Sequence, residues 1–132
     1  MGLLSFKGGI HPPHSKKYTE NKPTVIAVEP AMVHIPLRQH IGAPASAIVK
    51  VGDEVKVGQK IGEAGGFVSV PIHSSVSGTV KAVKNQAIYG GMALTVSIEN
   101  DMKNEVHENV KPKGNLEDLS GKEIVEIIKE AG

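Results

Sequence analysis

The 132-residue sequence contains no cysteine. Disulfides, thiolate nucleophiles and cysteine-ligated zinc or iron–sulfur centres are therefore excluded from this chain. Tryptophan is also absent, and aromatic residues make up only 3% of the sequence, too few for a platform that stacks nucleic-acid bases. Charge of one sign is lacking as well: Lys and Arg exceed Asp and Glu by a single residue, for a net charge of +1. Nothing in that balance draws the chain to phosphate backbones. Apolar runs are only a few residues long, far short of the roughly 20 that a bilayer-spanning helix requires. Residues 1–6 have neither the basic start nor the apolar stretch of a secretory signal. These absences predict a cytoplasmic protein that binds no nucleic acid and meets a membrane only through partners.

What the chain does have is punctuation. Fifteen Gly and eight Pro recur along its length, which predicts many tight turns joining short strands and a mostly β fold. Residues 1–24 read as an extended arm, with Gly8-Gly9-Ile10-His11-Pro12-Pro13-His14 showing no apolar period. Residues 25–100 read as one β domain. Its expected strands include Val25-Ile26-Ala27-Val28, residues 32–37 with Pro36 marking an edge strand, residues 47–50, 60–63, 67–73, 79–84 and 94–98. Asn85-Gln86 and Gly90-Gly91 read as breaks before the last of these. Ser46-Ala47-Ile48-Val49-Lys50 returns as Ser77-Gly78-Thr79-Val80-Lys81, a weak internal repeat that suggests a pseudo-twofold β unit.

Residues 101–132 read as a charged linker followed by a helix. Ser120-Gly121-Lys122-Glu123 has the spacing of a capping box. Ile124, Ile127, Ile128 and Ala131 form one apolar stripe, and Gly132 suits the closing position. A helix of about ten residues is marginal alone. The stripe therefore calls for a surface, which suggests that a further domain follows.

The most informative stretch is Gly52-Asp53-Glu54-Val55-Lys56-Val57-Gly58-Gln59. Gly52 and Gly58 allow turns that other residues would strain, Asp53 can bond its own turn, and Val55 would plug the core between them. This stretch resembles the first half of the signature of the barrel-sandwich hybrid fold of biotinyl and lipoyl domains. Val76-Ser77-Gly78-Thr79-Val80 resembles its second half. The expected turn-forming residues are thus Gly52, Asp53, Gly58, Gln59 and Gly78. Biotinyl and lipoyl domains carry their cofactor on a Lys at the hairpin tip between the two halves. Counting back from Val76 places that position at or beside Phe67. Glu63-Ala64-Gly65-Gly66-Phe67-Val68 offers no Lys there. A stand-alone biotinyl/lipoyl-like binding domain without its attachment lysine is the alternative reading.

A wider resemblance covers nearly the whole chain. Phe6-Lys7-Gly8-Gly9-Ile10-His11-Pro12-Pro13, Ile35-Pro36-Leu37-Arg38-Gln39-His40-Ile41-Gly42-Ala43-Pro44-Ala45, the Gly52 to Gln59 turn and Pro71-Ile72-His73-Ser74-Ser75-Val76-Ser77-Gly78 occur in order. Together they are similar to the N-terminal region of RnfC, a peripheral component of the Rnf electron-transport complex, an ion-translocating ferredoxin:NAD⁺ oxidoreductase. The resemblance implies a full-length protein with an FMN- and NADH-binding domain and two four-iron (4Fe-4S) clusters. It also implies the other Rnf subunits as partners and a place on the inner face of the cell membrane. No FMN, NADH or cluster residue carries over to this chain, so the expected role is non-catalytic docking and scaffolding. The candidate contact residues are Gly8, Gly9, His11, Pro12, Pro13, Gln39, His40, Gly42 and Pro44, facing the flavin domain or the sister subunits.

The remaining chemistry-bearing residues favour structural roles. His11 and His14 have ligand-like spacing but no neighbouring carboxylate, and no metal, cofactor or catalytic residue is assigned. His40 and His73 are expected to donate to carbonyls in the turns near Pro44 and Pro71. Ser74, Ser75 and Ser77 are expected to bond backbone rather than to act as nucleophiles. No nucleotide-binding glycine motif is present.

Overall fold

The structure, a computed structural model, describes residues 12–132. Its local geometry is set by one turn written twice, Lys50-Val51-Gly52-Asp53 and Lys56-Val57-Gly58-Gln59. In each, the N–H of the fourth residue donates to the Lys carbonyl, at 3.1 Å from Asp53 and 3.0 Å from Gln59. The fourth side chain accepts in return. The Lys50 N–H donates to Asp53 Oδ2 and the Lys56 N–H to Gln59 Oε1, both at 2.9 Å. Gly52 and Gly58 hold the third position at φ +94° and +75°, left-handed angles that a turn of this kind demands. Val55, between the two turns, is buried as expected.

Among the described residues, seven strands and one α-helix are joined by such turns. They are β1 (Met32–Pro36), β2 (Ser46–Ala47), β3 (Glu54–Val55), β4 (Lys60–Glu63), β5 (Ile72–His73), β6 (Gly78–Ile88), β7 (Gly91–Asn100) and α1 (Gly121–Ala131). One sheet runs β1-β7-β6-β3 and the other β2-β4-β5, with every pairing antiparallel. The mostly β expectation with one C-terminal helix holds. Pro36 does close an edge strand, where its missing N–H costs no ladder bond. The two repeat copies start one strand in each sheet, β2 and β6.

The core lies where the sheets meet. Leu37, Ile61, Val80, Val96 and Ile98 are fully buried, joined by Ile35, Val55, Ile72 and Val76. Each large side chain so buried stabilises the fold by about 1.5–3 kcal/mol. Gly62 makes the contact close: a Cβ there would stand 2.9 Å from Leu37 Cδ2 and 3.3 Å from both Ala45 Cβ and Ile72 Cβ. The buried hydroxyls are satisfied within the core. Ser74 Oγ donates to the Val76 carbonyl at 2.7 Å and Thr95 Oγ1 to the Ala93 carbonyl at 3.1 Å.

Several sequence expectations change. Residues 25–28 join neither sheet, and Val25, Ile26 and Val28 are exposed. Only Ile72–His73 of the expected strand 67–73 pairs, because the residues before it are bonded to another loop, as described below. Only Ser46–Ala47 is strand near the expected 47–50, with the Ile48 N–H still reaching the Ile61 carbonyl at 3.1 Å. Asn85-Gln86 does not break the chain. The β6–β7 ladder continues to Ile88↔Gly91, helped by Gln86 Nε2 donating to Ser97 Oγ at 2.9 Å. Residues 101–114 hold no strand, yet Val57 pairs with this segment: its N–H donates to the Glu105 carbonyl at 2.8 Å, and its carbonyl accepts from the His107 N–H at 2.9 Å.

Candidate docking surface

The segment that follows β1 leaves the sheet but is tied at both ends. The Leu37 N–H donates to the Leu94 carbonyl, and the Ala45 N–H donates back to the Leu37 carbonyl, both at 2.8 Å. Between them, residues 38–44 form a loop held by Gln39 Nε2 donating to the Pro36 carbonyl at 3.0 Å. This loop is the middle of a three-part crest.

On one side lies the β4–β5 hairpin tip, residues 64–71. The Ala43 N–H donates to the Val68 carbonyl at 2.9 Å. Ser69 is the staple: its hydroxyl donates to the Ala43 carbonyl at 2.8 Å and accepts the Gly65 N–H at 2.9 Å. His40 Nε2 accepts the Val70 N–H at 3.4 Å. The expected donation by His40 to a carbonyl is therefore reversed: the ring accepts and braces the tip. Gly42 is required here, since a Cβ would overlap the Val68 carbonyl oxygen. Gly65 is pressed in the same way on the Pro44 carbonyl oxygen.

On the other side lies the β6–β7 turn. A groove of about 360 Å³ separates it from the central loop, with Arg38, Ile41, Tyr89 and Met92 among its walls. Three large side chains crown the crest, one from each part. Ile41, Phe67 and Tyr89 are fully exposed, with Val68 and Met92 more than half exposed beside them. Residues 38–45, 64–71 and 85–92 contain no carboxylate, and Arg38 is their only Lys or Arg. The backbone is fixed by hydrogen bonds while the apolar tips stay uncovered. Chemically, that is a preformed hydrophobic contact surface.

The crest gathers four of the candidate contact residues, Gln39, His40, Gly42 and Pro44. Gln39, His40 and Gly42 hold its shape, and its exposed chemistry comes from Ile41, Phe67 and Tyr89. The candidates Pro12 and Pro13 are exposed and lie outside any regular element. Gly8, Gly9 and His11 lie outside the described residues. In sequence, Phe67 reads as the start of a strand and as an attachment position without its lysine, and Tyr89 carries no signal beyond the glycines after it.

Lys60, the lysine nearest the tip, is committed elsewhere. Its Nζ lies 2.6 Å from Glu130 of α1 and 3.3 Å from Glu63. The Glu130 contact leads in raising its pKa, holding it protonated. His73 sits part-buried beside this pair, and burial lowers its pKa. It is grouped with these charges instead of donating to a turn carbonyl. The serines near it have their own partners. Ser77 Oγ donates to Asp101 Oδ1 at 2.6 Å and accepts the Glu105 N–H at 3.1 Å, so Ser77 bonds a side chain as well as backbone. These bonds and a 3.2 Å Lys56–Glu105 ion pair lie in the lining of a second cleft, of about 630 Å³. Among the described residues, no three of His, Asp and Glu converge as metal ligands.

Comparison with known proteins gives this geometry a family. The profile of the RnfC barrel sandwich hybrid domain matches residues 4–103. The chain is 46% identical to the C subunit of the Na⁺-translocating ferredoxin:NAD⁺ oxidoreductase complex of Acetobacterium woodii, over 97% of this chain and 29% of that protein. It is 49% identical to the C subunit of the proton-translocating ferredoxin:NAD⁺ oxidoreductase complex of Clostridium ljungdahlii, over 98% of this chain and 29% of that protein. It is 32% identical to the C subunit of the ion-translocating oxidoreductase complex of Vibrio cholerae, over 98% of this chain and 17% of that protein. The chain thus spans less than a third of the length of these relatives. The two opposed antiparallel sheets, the paired glycine turns and the profile match agree: the chain belongs to the RnfC barrel sandwich hybrid family.

Proposed function

We propose that this chain is the docking and scaffold domain of RnfC in an Rnf-type complex that couples ferredoxin–NAD⁺ electron transfer to ion movement. It sits on the cytoplasmic side and reaches the membrane through its sister subunits. The observation that carries this reading is the crest. Two of its loops are hydrogen-bonded to each other and the third is held by the β6–β7 ladder, yet their apolar tips have no partner within the described chain. Covering such groups is favourable by about 25 cal/mol per Å² before the cost of association is subtracted, and loops already held in place add little ordering cost.

The residues present do not fit the redox groups implied for the full-length protein. The 132 residues supply no Cys for a four-iron cluster. FMN, NADH and the clusters would be held by other parts of RnfC, and the chain's own contribution is to position them. No helix among the described residues is long and apolar enough to cross a membrane, which fits attachment through partners.

Affinity capture tests the proposal. Tagged RnfC with Ile41→Asp and Phe67→Asp should retain its fold, because both side chains are fully exposed. It should lose at least about 90% of the sister subunits bound by the unaltered protein, a shift above 1.4 kcal/mol. Equal capture by both proteins would refute the crest as the docking surface.

A further inference from the structure

Residues 24–29 read as a strand in sequence and contribute to neither sheet. Val25, Ile26 and Val28 are 83, 95 and 93% exposed, the largest concentration of uncovered β-branched residues in the described chain. Their surroundings are defined. Pro23 and Pro30 bracket the segment, and each residue between them keeps an N–H to donate. Its C-terminal end is clamped to the sheet. Asn100 Nδ2 donates to the Pro30 carbonyl at 3.1 Å, the Asn100 N–H to the Ala31 carbonyl at 2.9 Å, and Asn104 Nδ2 to Glu29 Oε1 at 3.1 Å.

These constraints narrow the occupant. If extended, the segment places Val25 and Ala27 on one face and Ile26 and Val28 on the other. Both faces are apolar, the pattern of a strand inside a sheet covered on both sides. A lipid surface or a helix groove would bury only one of them. The segment cannot fold back on β1, which lies two residues away. A two-residue hairpin needs positive φ at its first position, and Pro30 is fixed near −65°. Ala31 is also already engaged with Asn100.

We propose that residues 24–29 form a donor strand that adds to the open edge of a β-sheet in a partner protein. The partner sheet is covered on both faces, so the main-chain ladder supplies affinity and the four apolar side chains fill pockets beside that edge. The clamp at residues 29–31 fixes where the strand leaves the domain and lowers the ordering cost of pairing. This surface is separate from the crest.

Amide hydrogen exchange on full-length RnfC, alone and assembled with co-expressed sister subunits, tests it. The amides of residues 25–28 should exchange fast in free RnfC and slow by roughly 100-fold or more on assembly. Ile26→Pro removes an N–H where the side chain packs on nothing. It should leave the thermal midpoint unchanged, abolish that protection and weaken capture about tenfold, whereas Ile26→Val should retain both. Unchanged exchange on assembly would overturn the proposal, as would full capture and protection with Ile26→Pro. Protection that arises in isolated RnfC and grows with its concentration would also overturn it, since the strand would then pair with a second copy. None of these results depends on Ile41 or Phe67, so the crest and the donor strand stand or fall separately.

Discussion

At Gly78, one hydrogen in place of a side chain decides whether two strands can meet. A Cβ there would overlap the Glu99 carbonyl oxygen, and the backbone already sits at φ +148°. Gly52 has the same freedom of angle, φ +94°, but open space around it. Gly78→Ala should therefore cost about 2–4 kcal/mol in urea unfolding, and Gly52→Ala about 1 kcal/mol. The difference separates collision from backbone strain. Gly52, Asp53, Gly58 and Gln59 are legible in the sequence because their turn chemistry is local. Gly42 reads as a contact residue, but its reason, the Val68 carbonyl, lies far along the chain and carries no local signal. His73 makes a pH prediction. Burial lowers its pKa below the ordinary 6.5, outweighing the opposing pull of Glu130 and Glu63, with Lys60 acting in the same sense as burial. The folded state thus favours the neutral ring. Its contribution is complete above pH 6.5 and is lost as pH falls through the lowered folded value. Unfolding at pH 7.5 and 5 should show a smaller loss for His73→Gln than for the unaltered chain. Equal losses would show that another group is responsible.

Among the elements, α1 is the most fully legible. Ser120 Oγ accepts the Glu123 N–H at 3.4 Å, and Glu123 Oε2 accepts the Ser120 N–H at 2.8 Å. The Gly132 N–H closes the far end on the Lys129 carbonyl. Those signals lie within one turn of chain and need no tertiary contact. The stripe is only partly covered, with Ile124 and Ile127 half-buried and Ile128 exposed. The helix therefore relies on its cap and the Lys60–Glu130 pair. Ser120→Ala should weaken α1 by about 1 kcal/mol, seen as faster amide exchange across residues 121–131 with the core strands unchanged. The hairpin strands are harder to read. Polar Asn85-Gln86 looks like a break, yet Gln86 reaches Ser97, a partner that only the folded ladder supplies. Residues 25–28 show the reverse: local β propensity is strong, but they pair with no strand of either sheet.

For the whole molecule, sequence pattern identifies the fold through two half-signatures in order, and the block around His40 through its resemblance. It does not identify the crest, because Ile41, Phe67 and Tyr89 come from three loops that only the folded chain brings together. The same assembly explains why a hairpin tip that carries a cofactor lysine in biotinyl and lipoyl domains can here present an apolar knob. The central proposal is that this knob is covered by another part of the proposed Rnf-type assembly. A photo-crosslinking residue placed at Phe67 in the assembled complex measures this directly, with the same residue at Val51, exposed and outside the crest, as the reference. Strong cross-links are expected from position 67 to a sister subunit or to the proposed flavin-binding part of RnfC, and few from position 51. Cross-linking from position 67 no greater than from position 51 would contradict it.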